Sequence, residues 1–221
     1  NEEQFRQFLN TFHHEIVSEI KLLFFIRDKI RTIKHAISNN KMGLIFLRKG
    51  MIDEAVAEFE HAIEKSPELV EAYNNLGIAY IQRGSYSEAI ALLKKGRELE
   101  PQFADLRNNL GLAYVRLKMF GDALEEYQSA LKINPNYTEV YLNIGVAYLE
   151  SIVHQPDSKD LPAASIRKSR AVENFEKTMT SNPDFTSYRF FSFRFEEAIK
   201  QINSDEIAPA IETIQEIKNA I

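Results

Sequence analysis

The stretch NNLGIAYIQRG, Asn74 to Gly84, returns further along the chain as NNLGLAYVRLK, Asn108 to Lys118. The recurrence extends outward from these two copies. Gly43, Gly77, Gly111 and Gly145 stand at one constant spacing, in the contexts NKMGLIF, NNLGIAY, NNLGLAY and LNIGVAY. Beyond each Gly lies a small-then-large pair: Ala55-x3-Phe59, Ala89-x3-Leu93, Ala123-x3-Tyr127 and Ala171-x3-Phe175. Pro67, Pro101 and Pro135 close successive units at the same period, and Pro183 closes a fourth. A fixed period of about 34 residues is the mark of stacked structural units, each too small to bury its own apolar face alone.

Elementary geometry accounts for the residue types. In Tyr73-x2-Leu76-Gly77-x2-Tyr80 the spacings are three and four, so these residues share one helical face. Glycine inside a helix costs roughly 1 kcal/mol relative to alanine, which is tolerated where something must approach closely. The small pair Gly77 and Ala89 is expected to let two antiparallel helices touch. Proline ends the second helix, because it lacks an N–H and disfavours helix in the residue before it. The turn falls at Gln82–Tyr86, with Gly84 at the helix end and Ser85 or Ser87 as caps.

With four units agreeing at these positions, the sequence resembles the tetratricopeptide repeat (TPR) family, whose repeat of about 34 residues reads W-x2-L-G-x2-Y…A-x3-F…P. The resemblance implies an all-α, right-handed superhelical solenoid of antiparallel helix pairs, flanked by a long N-terminal helix and a C-terminal helical cap. Units are expected at residues 36–69, 70–103, 104–137 and 138–183, within a repeat region of 36–183. Tyr73 and Tyr141 stand at the Trp position, but Asn39 and Arg107 replace the aromatic in units one and three. In the fourth unit the interval from Gly145 to Ala171 is more than twice that from Gly43 to Ala55. An insertion therefore falls near 151–170, as a loop or an extended first helix.

The family resemblance further implies a non-enzymatic interaction module without cofactors, an adaptor or scaffold whose first helices line a concave groove. The groove positions carried over are Asn40, Asn74, Asn108 and Leu142 at the fifth place, Leu44, Ile78, Leu112 and Val146 at the ninth, and Leu47, Ile81, Val115 and Leu149 at the twelfth. This is an aliphatic floor beside an asparagine row. The second positions, Ile37, Glu71, Asp105 and Glu139, are mostly acidic and would repel a peptide carboxylate, which excludes the carboxylate-clamp mode known in the family. An amphipathic helix or a peptide with spaced aliphatic residues is the expected partner, with the asparagines fixing it by hydrogen bonds.

Charge narrows the partner classes. The net charge of −5 is unevenly spread: residues 1–50 carry nine Lys/Arg against five Asp/Glu, and residues 51–150 carry nine against sixteen. The acidic middle excludes a nucleic-acid groove there. With no Cys, disulfides, thiolate metal sites and Cys nucleophiles are excluded. The adjacent pair His13-His14 points to two faces of a helix and lacks a third ligand at metal spacing. No apolar run is long enough to cross a bilayer, and a cytoplasmic location is expected. The first residue is Asn rather than Met, which suggests that something lies upstream.

Residues 1–38 contain neither Gly nor Pro. Leu9, Ile16, Leu23, Ile30 and Ile37 recur in heptad register, interleaved with Phe5, Phe12, Ile26 and Ile33 and broken by Glu19. This heptad pattern predicts one long helix, or two with a break near Thr11–His14, forming an arm before the repeats. Its stripe needs a cover. Pairing with a second copy through Leu9, Phe12, Ile16, Leu23, Ile26, Ile30 and Ile33 as a coiled coil is the first option. Folding back on the repeats is the second, and a membrane surface the least favoured. After Pro183, the aromatic run Tyr188, Phe190, Phe191, Phe193 and Phe195 and the stripe Ile207, Ile211, Ile214 and Ile217 predict a divergent helix pair over 184–221 that caps the open end. Two alternatives to the adaptor stay open: a structural protein that oligomerises through the arm, and the regulatory part of a larger protein.

Overall fold

The computed structural model describes residues 2–159, 161–181 and 189–220. Among them it is helical, with no strand. The helices are α1 (Glu2–Arg48), α2 (Ile52–Lys65), α3 (Val70–Arg83), α4 (Tyr86–Leu99), α5 (Ala104–Arg116), α6 (Phe120–Ile133), α7 (Thr138–His154), α8 (Ala164–Ser181), α9 (Arg189–Asn203) and α10 (Ile207–Ala220). Packing divides the chain into two units, residues 1–79 and 80–221.

In the first unit, α1 runs 47 residues without a break and packs on α2 only over its last part. The arm and the first helix of the first repeat are therefore one element, which continues through Asn39-Asn40 and ends at Arg48. Ala36, Ala55, Phe59 and Ala62 are fully buried. Gly43 is explained by a ring. A Cβ built there would lie 2.5 Å from Cε1 of Phe59, so the glycine admits the aromatic of the small-then-large pair.

The second unit repeats this device. A Cβ on Gly111 would meet Cδ1 of Tyr127 at 2.6 Å, and one on Gly145 would meet Cδ1 of Phe175 at 2.8 Å, with Cε1 closer still in each case. At these three positions the close approach is thus helix backbone against aromatic ring, not against the small Ala that the spacing suggested. Helices α4 to α8 pack in sequence, α4 on α5, α5 on α6, α6 on α7 and α7 on α8. Contacts between α4, α5 and α6 are tied by Glu126, which pairs with Arg97 and, at 3.1 Å, with Arg107. Arg107, at the family's Trp position, also donates to the Pro101 carbonyl at 3.3 Å through Nε. Tyr141, at the same position of the next repeat, donates to the Pro135 carbonyl at 2.8 Å. Two unlike side chains thus hold the same corner.

Four helix ends among the described residues share one backbone motif, the last at Asp205, with φ 65°, its N–H donating to Ile202 and that of Glu206 to Gln201. Gly50, Gly84 and Lys118 all have positive φ, at 74°, 87° and 60°. Each donates its N–H three residues back, to Leu47, Ile81 and Val115, and the following residue donates five back, to Phe46, Tyr80 and Tyr114. This satisfies orphan carbonyls at the helix end and turns the chain. Ser85 stands at the N-cap of α4 but makes no side-chain capping bond.

The insertion resolves into an α7 lengthened to His154, a loop, and α8 from Ala164. Arg167, fully buried, holds that loop. Its Nη1 donates to the carbonyls of Ser151 at 2.7 Å and Gln155 at 3.0 Å, and its Nη2 to that of Pro156 at 2.7 Å. One guanidinium thus gathers three carbonyls at the end of α7, that of Ser151 also accepting from the Gln155 N–H. Burial pushes its pKa down, opposed by the charge of Asp157.

The C-terminal pair departs from simple end-capping. Helix α9 packs on α8, but α10 packs on α7 as well as on α9. Phe195 is fully buried against Phe175, ring centroids 6.1 Å apart, whereas Phe193 is exposed. Tyr188 and the side chains of Phe190 and Phe191 lie outside the described residues, as do Pro183 and the side chain of Leu9.

Candidate functional site

The asparagine row turns out to be internal. In the first unit, Asn75 donates through Nδ2 to Oδ1 of Asn40 at 3.0 Å. In the second, Asn143 donates to Asn108 at 2.8 Å. In each case the sixth residue of one first helix bonds the fifth of the preceding one, so the amides join consecutive repeats. Asn40, Asn74 and Asn108 are all buried. An amide held in a buried pair has little capacity left for a partner. Asn108 also donates to Glu139 at 3.4 Å.

The aliphatic positions fall into two sets. Leu44, Leu47 and Ile78 in the first unit are half-buried, as are Ile81, Leu112 and Val146 in the second. Val115, Leu142 and Leu149 are buried. They stand at the fifth, ninth and twelfth places; at the twelfth, Leu47 and Ile81 are half-buried but Val115 and Leu149 buried, so exposure depends on what covers each repeat.

In the second unit the cover is α10. A narrow cleft is lined by Leu112, Val115 and Arg116 of α5, Tyr127 of α6, Asn143, Val146 and Glu150 of α7, and Gln215 and Lys218 of α10. Lys218 reaches across and donates through Nζ to Oδ1 of Asn143 at 2.8 Å. Asn143 is thereby satisfied on both sides, as donor to Asn108 and acceptor from Lys218. Burial pushes the Lys218 pKa down, while the carboxylates of Glu139 and Glu150 oppose that shift and Arg116 adds to it. The contact that Lys218 makes is with Asn143, in the field of Glu139 at the second position and of Glu150. Burial, reinforced by Glu150 and Glu139, raises the Tyr127 phenol, and burial with a hydrogen bond to Asp105 raises Tyr137. Both stay protonated at neutral pH.

The role of α10 was not visible in the repeat pattern. Its stripe of Ile207, Ile211, Ile214 and Ile217 announced a helix needing a cover, but did not say which face it would find. Lys218, the residue that addresses Asn143, has no counterpart in the repeats.

The arm residues stand apart. Phe12, Ile16, Leu23, Ile26, Ile30 and Ile33 are all exposed, Leu23 to 65%. Phe24 and Phe25 are exposed too, with Arg27 4.7 Å over the first ring and Lys29 5.9 Å over the second. No helix among the described residues is long and apolar enough to cross a membrane. Among the described residues, no three His, Cys, Asp or Glu side chains converge as a metal would require.

Helix pairs at a fixed period, glycines opened to aromatic rings and an inter-repeat asparagine ladder define an all-α repeat protein of the solenoid class. The chain carries tetratricopeptide repeats: residues 46–110 match one family model, Tetratricopeptide repeat, and residues 120–151 match another, TPR repeat. Solved structures of the same fold include pilF of Pseudomonas aeruginosa, with a TM-score of 0.62 at 20% identity over 82% of this chain and 74% of that one. MamA from Desulfovibrio magneticus RS-1 gives 0.58 at 17% identity over 84% and 96%. A further MamA protein gives 0.55 at 23% identity over 83% and 91%. No curated protein matches the chain in sequence.

Proposed function

We propose that this chain is a non-enzymatic adaptor that docks an apolar helical segment of another protein on the inner faces of its first helices. The observation that carries the reading is α10. An amphipathic helix lies against α7, beside Leu112 and Val146 and hydrogen-bonded to Asn143. A face that takes one such helix from its own chain has the shape and apolarity to take others, and helix-in-groove docking is a recurring mode of recognition. In the first unit, Leu44, Leu47 and Ile78 are half-buried aliphatics at the equivalent repeat positions. They are the residues we assign to partner contact there. With the asparagines paired internally, specificity comes from apolar spacing and from the acidic second positions, which favour a partner carrying Lys or Arg, as α10 carries Lys218.

The test is capture of proteins by the tagged full chain, read by mass spectrometry. Leu44→Glu and Ile78→Glu should each remove the specifically captured set while circular dichroism shows unchanged helicity. Capture that survives both substitutions refutes the docking face. The exposed heptad stripe of α1 favours a second reading, self-assembly through the arm.

A further inference from the structure

We propose that the arm of α1 pairs with the arm of a second copy of this chain as an antiparallel two-stranded coiled coil centred on Lys21. The inference rests on the self-assembly reading and specifies its geometry. Four observations support it.

First, charge is segregated along the helix. Residues 1–20 carry one Lys/Arg and four Asp/Glu, whereas residues 21–40 carry five and one. An antiparallel pair sets each acidic half against a basic half, while a parallel pair stacks like on like.

Second, the apolar series is broken once, at Glu19, which occupies a core position of the heptad. A parallel in-register pair would press Glu19 against its own copy, two carboxylates in an apolar seam. In the antiparallel register centred on Lys21, Glu19 instead faces Leu23 of the second copy. The same register matches Phe12 with Ile30 and Ile16 with Ile26, all exposed in the single chain.

Third, the flanking positions fit. On one edge Glu15 faces Lys29 of the second copy, twice by symmetry, and Leu22 faces its own copy. On the other edge Ile20 faces its own copy and Arg27 faces His13. The single like-charge meeting is Arg6 with Lys34. Ile20 and Leu22, both exposed, lie outside the core positions, and this register gives each an apolar neighbour at the symmetry axis.

Fourth, α1 becomes packed against α2 from about Ala36 onward. An antiparallel pair places the two copies of that residue at opposite ends of the coil, about 45 Å apart at the helical rise of about 1.5 Å per residue. The repeats then do not compete for space.

The experiment uses the full chain, which has no native Cys. Sedimentation should show a dimer at micromolar concentration. An oxidised mixture of the E15C and K29C variants should give the mixed disulfide as the main cross-linked product. Glu15→Lys should weaken dimerisation about ten-fold, since two pairs turn from attractive to repulsive. The double variant Glu15→Lys with Lys29→Glu should restore it, with helicity checked throughout. A dimer that cross-links E15C to E15C, or does not cross-link at all, overturns the antiparallel register but leaves self-assembly standing. A monomer overturns both, including one that binds anionic phospholipid vesicles through Phe24 and Phe25.

Discussion

Replacing Gly145 by alanine separates packing from helix propensity, because the two act in opposite directions. A Cβ at this position would meet Cδ1 and Cζ of Phe175 at 2.8 Å and Cε1 closer still. Carbon atoms in contact prefer about 3.5–4.0 Å, so the ring would have to retreat by about an ångström or more. It has little room, being fully buried with Phe195 behind it at 6.1 Å between centroids. Overpacking of this kind costs about 1–3 kcal/mol. Alanine returns about 1 kcal/mol of helix propensity, leaving a net loss of up to about 2 kcal/mol. Gly121 is the control: it lies in the first turn of α6, and a Cβ there meets nothing within 4 Å. Gly121→Ala should therefore stabilise, by up to about 1 kcal/mol. Urea unfolding at constant slope reads both, with the midpoint of Gly145→Ala shifted down by up to roughly 1 M. Adding Phe175→Leu to Gly145→Ala should remove the clash, so the pair should be less destabilising together than the two losses summed. A Gly145→Ala protein as stable as Gly121→Ala would refute the claim that this glycine exists to admit the ring.

Other substitutions test the remaining features. Lys118 holds a left-handed backbone where the two preceding repeats have glycine, so Lys118→Gly should raise stability by about 0.5–1 kcal/mol in the same urea assay. Arg167→Lys keeps the charge but removes the fork that binds the Ser151, Gln155 and Pro156 carbonyls, and limited proteolysis should then cut faster between residues 155 and 163. The folded state lowers the Lys218 pKa below its ordinary 10.5, so the unfolded chain binds this proton more tightly. The contribution of Lys218 to stability should therefore rise with pH through the alkaline window ending near 10.5, and Lys218→Gln should flatten that rise.

Much of this architecture follows from local rules. The repeat period, the shared face of Leu76, Gly77 and Tyr80, and the proline at each unit's close depend on helical spacing and on the backbone limits of two residue types. Helix pairs could thus be placed without knowing what they touch. Even the long arm was readable, because heptad spacing belongs to a single helix. Its fusion to the first repeat is a matter of continuity: a helix ends only where capping or breaking residues stop it, and Asn39-Asn40 did not.

Assignments that depend on neighbours across the fold came only with three-dimensional packing. Asn74 and Asn108 stood at positions that can face a partner, yet they are buried, and the Asn108 amide is matched to Asn143. Ile81 and Val115 occupy the same place of successive repeats, the twelfth, but one is half-buried and the other buried. Val115 lines a cleft shared with α10, which lies outside the repeats, comes back onto α7 and sends Lys218 to Asn143. Periodicity is a property of the chain near each residue and fixes which way a side chain faces. What meets it there is set by segments far away in sequence that carry no repeat of their own.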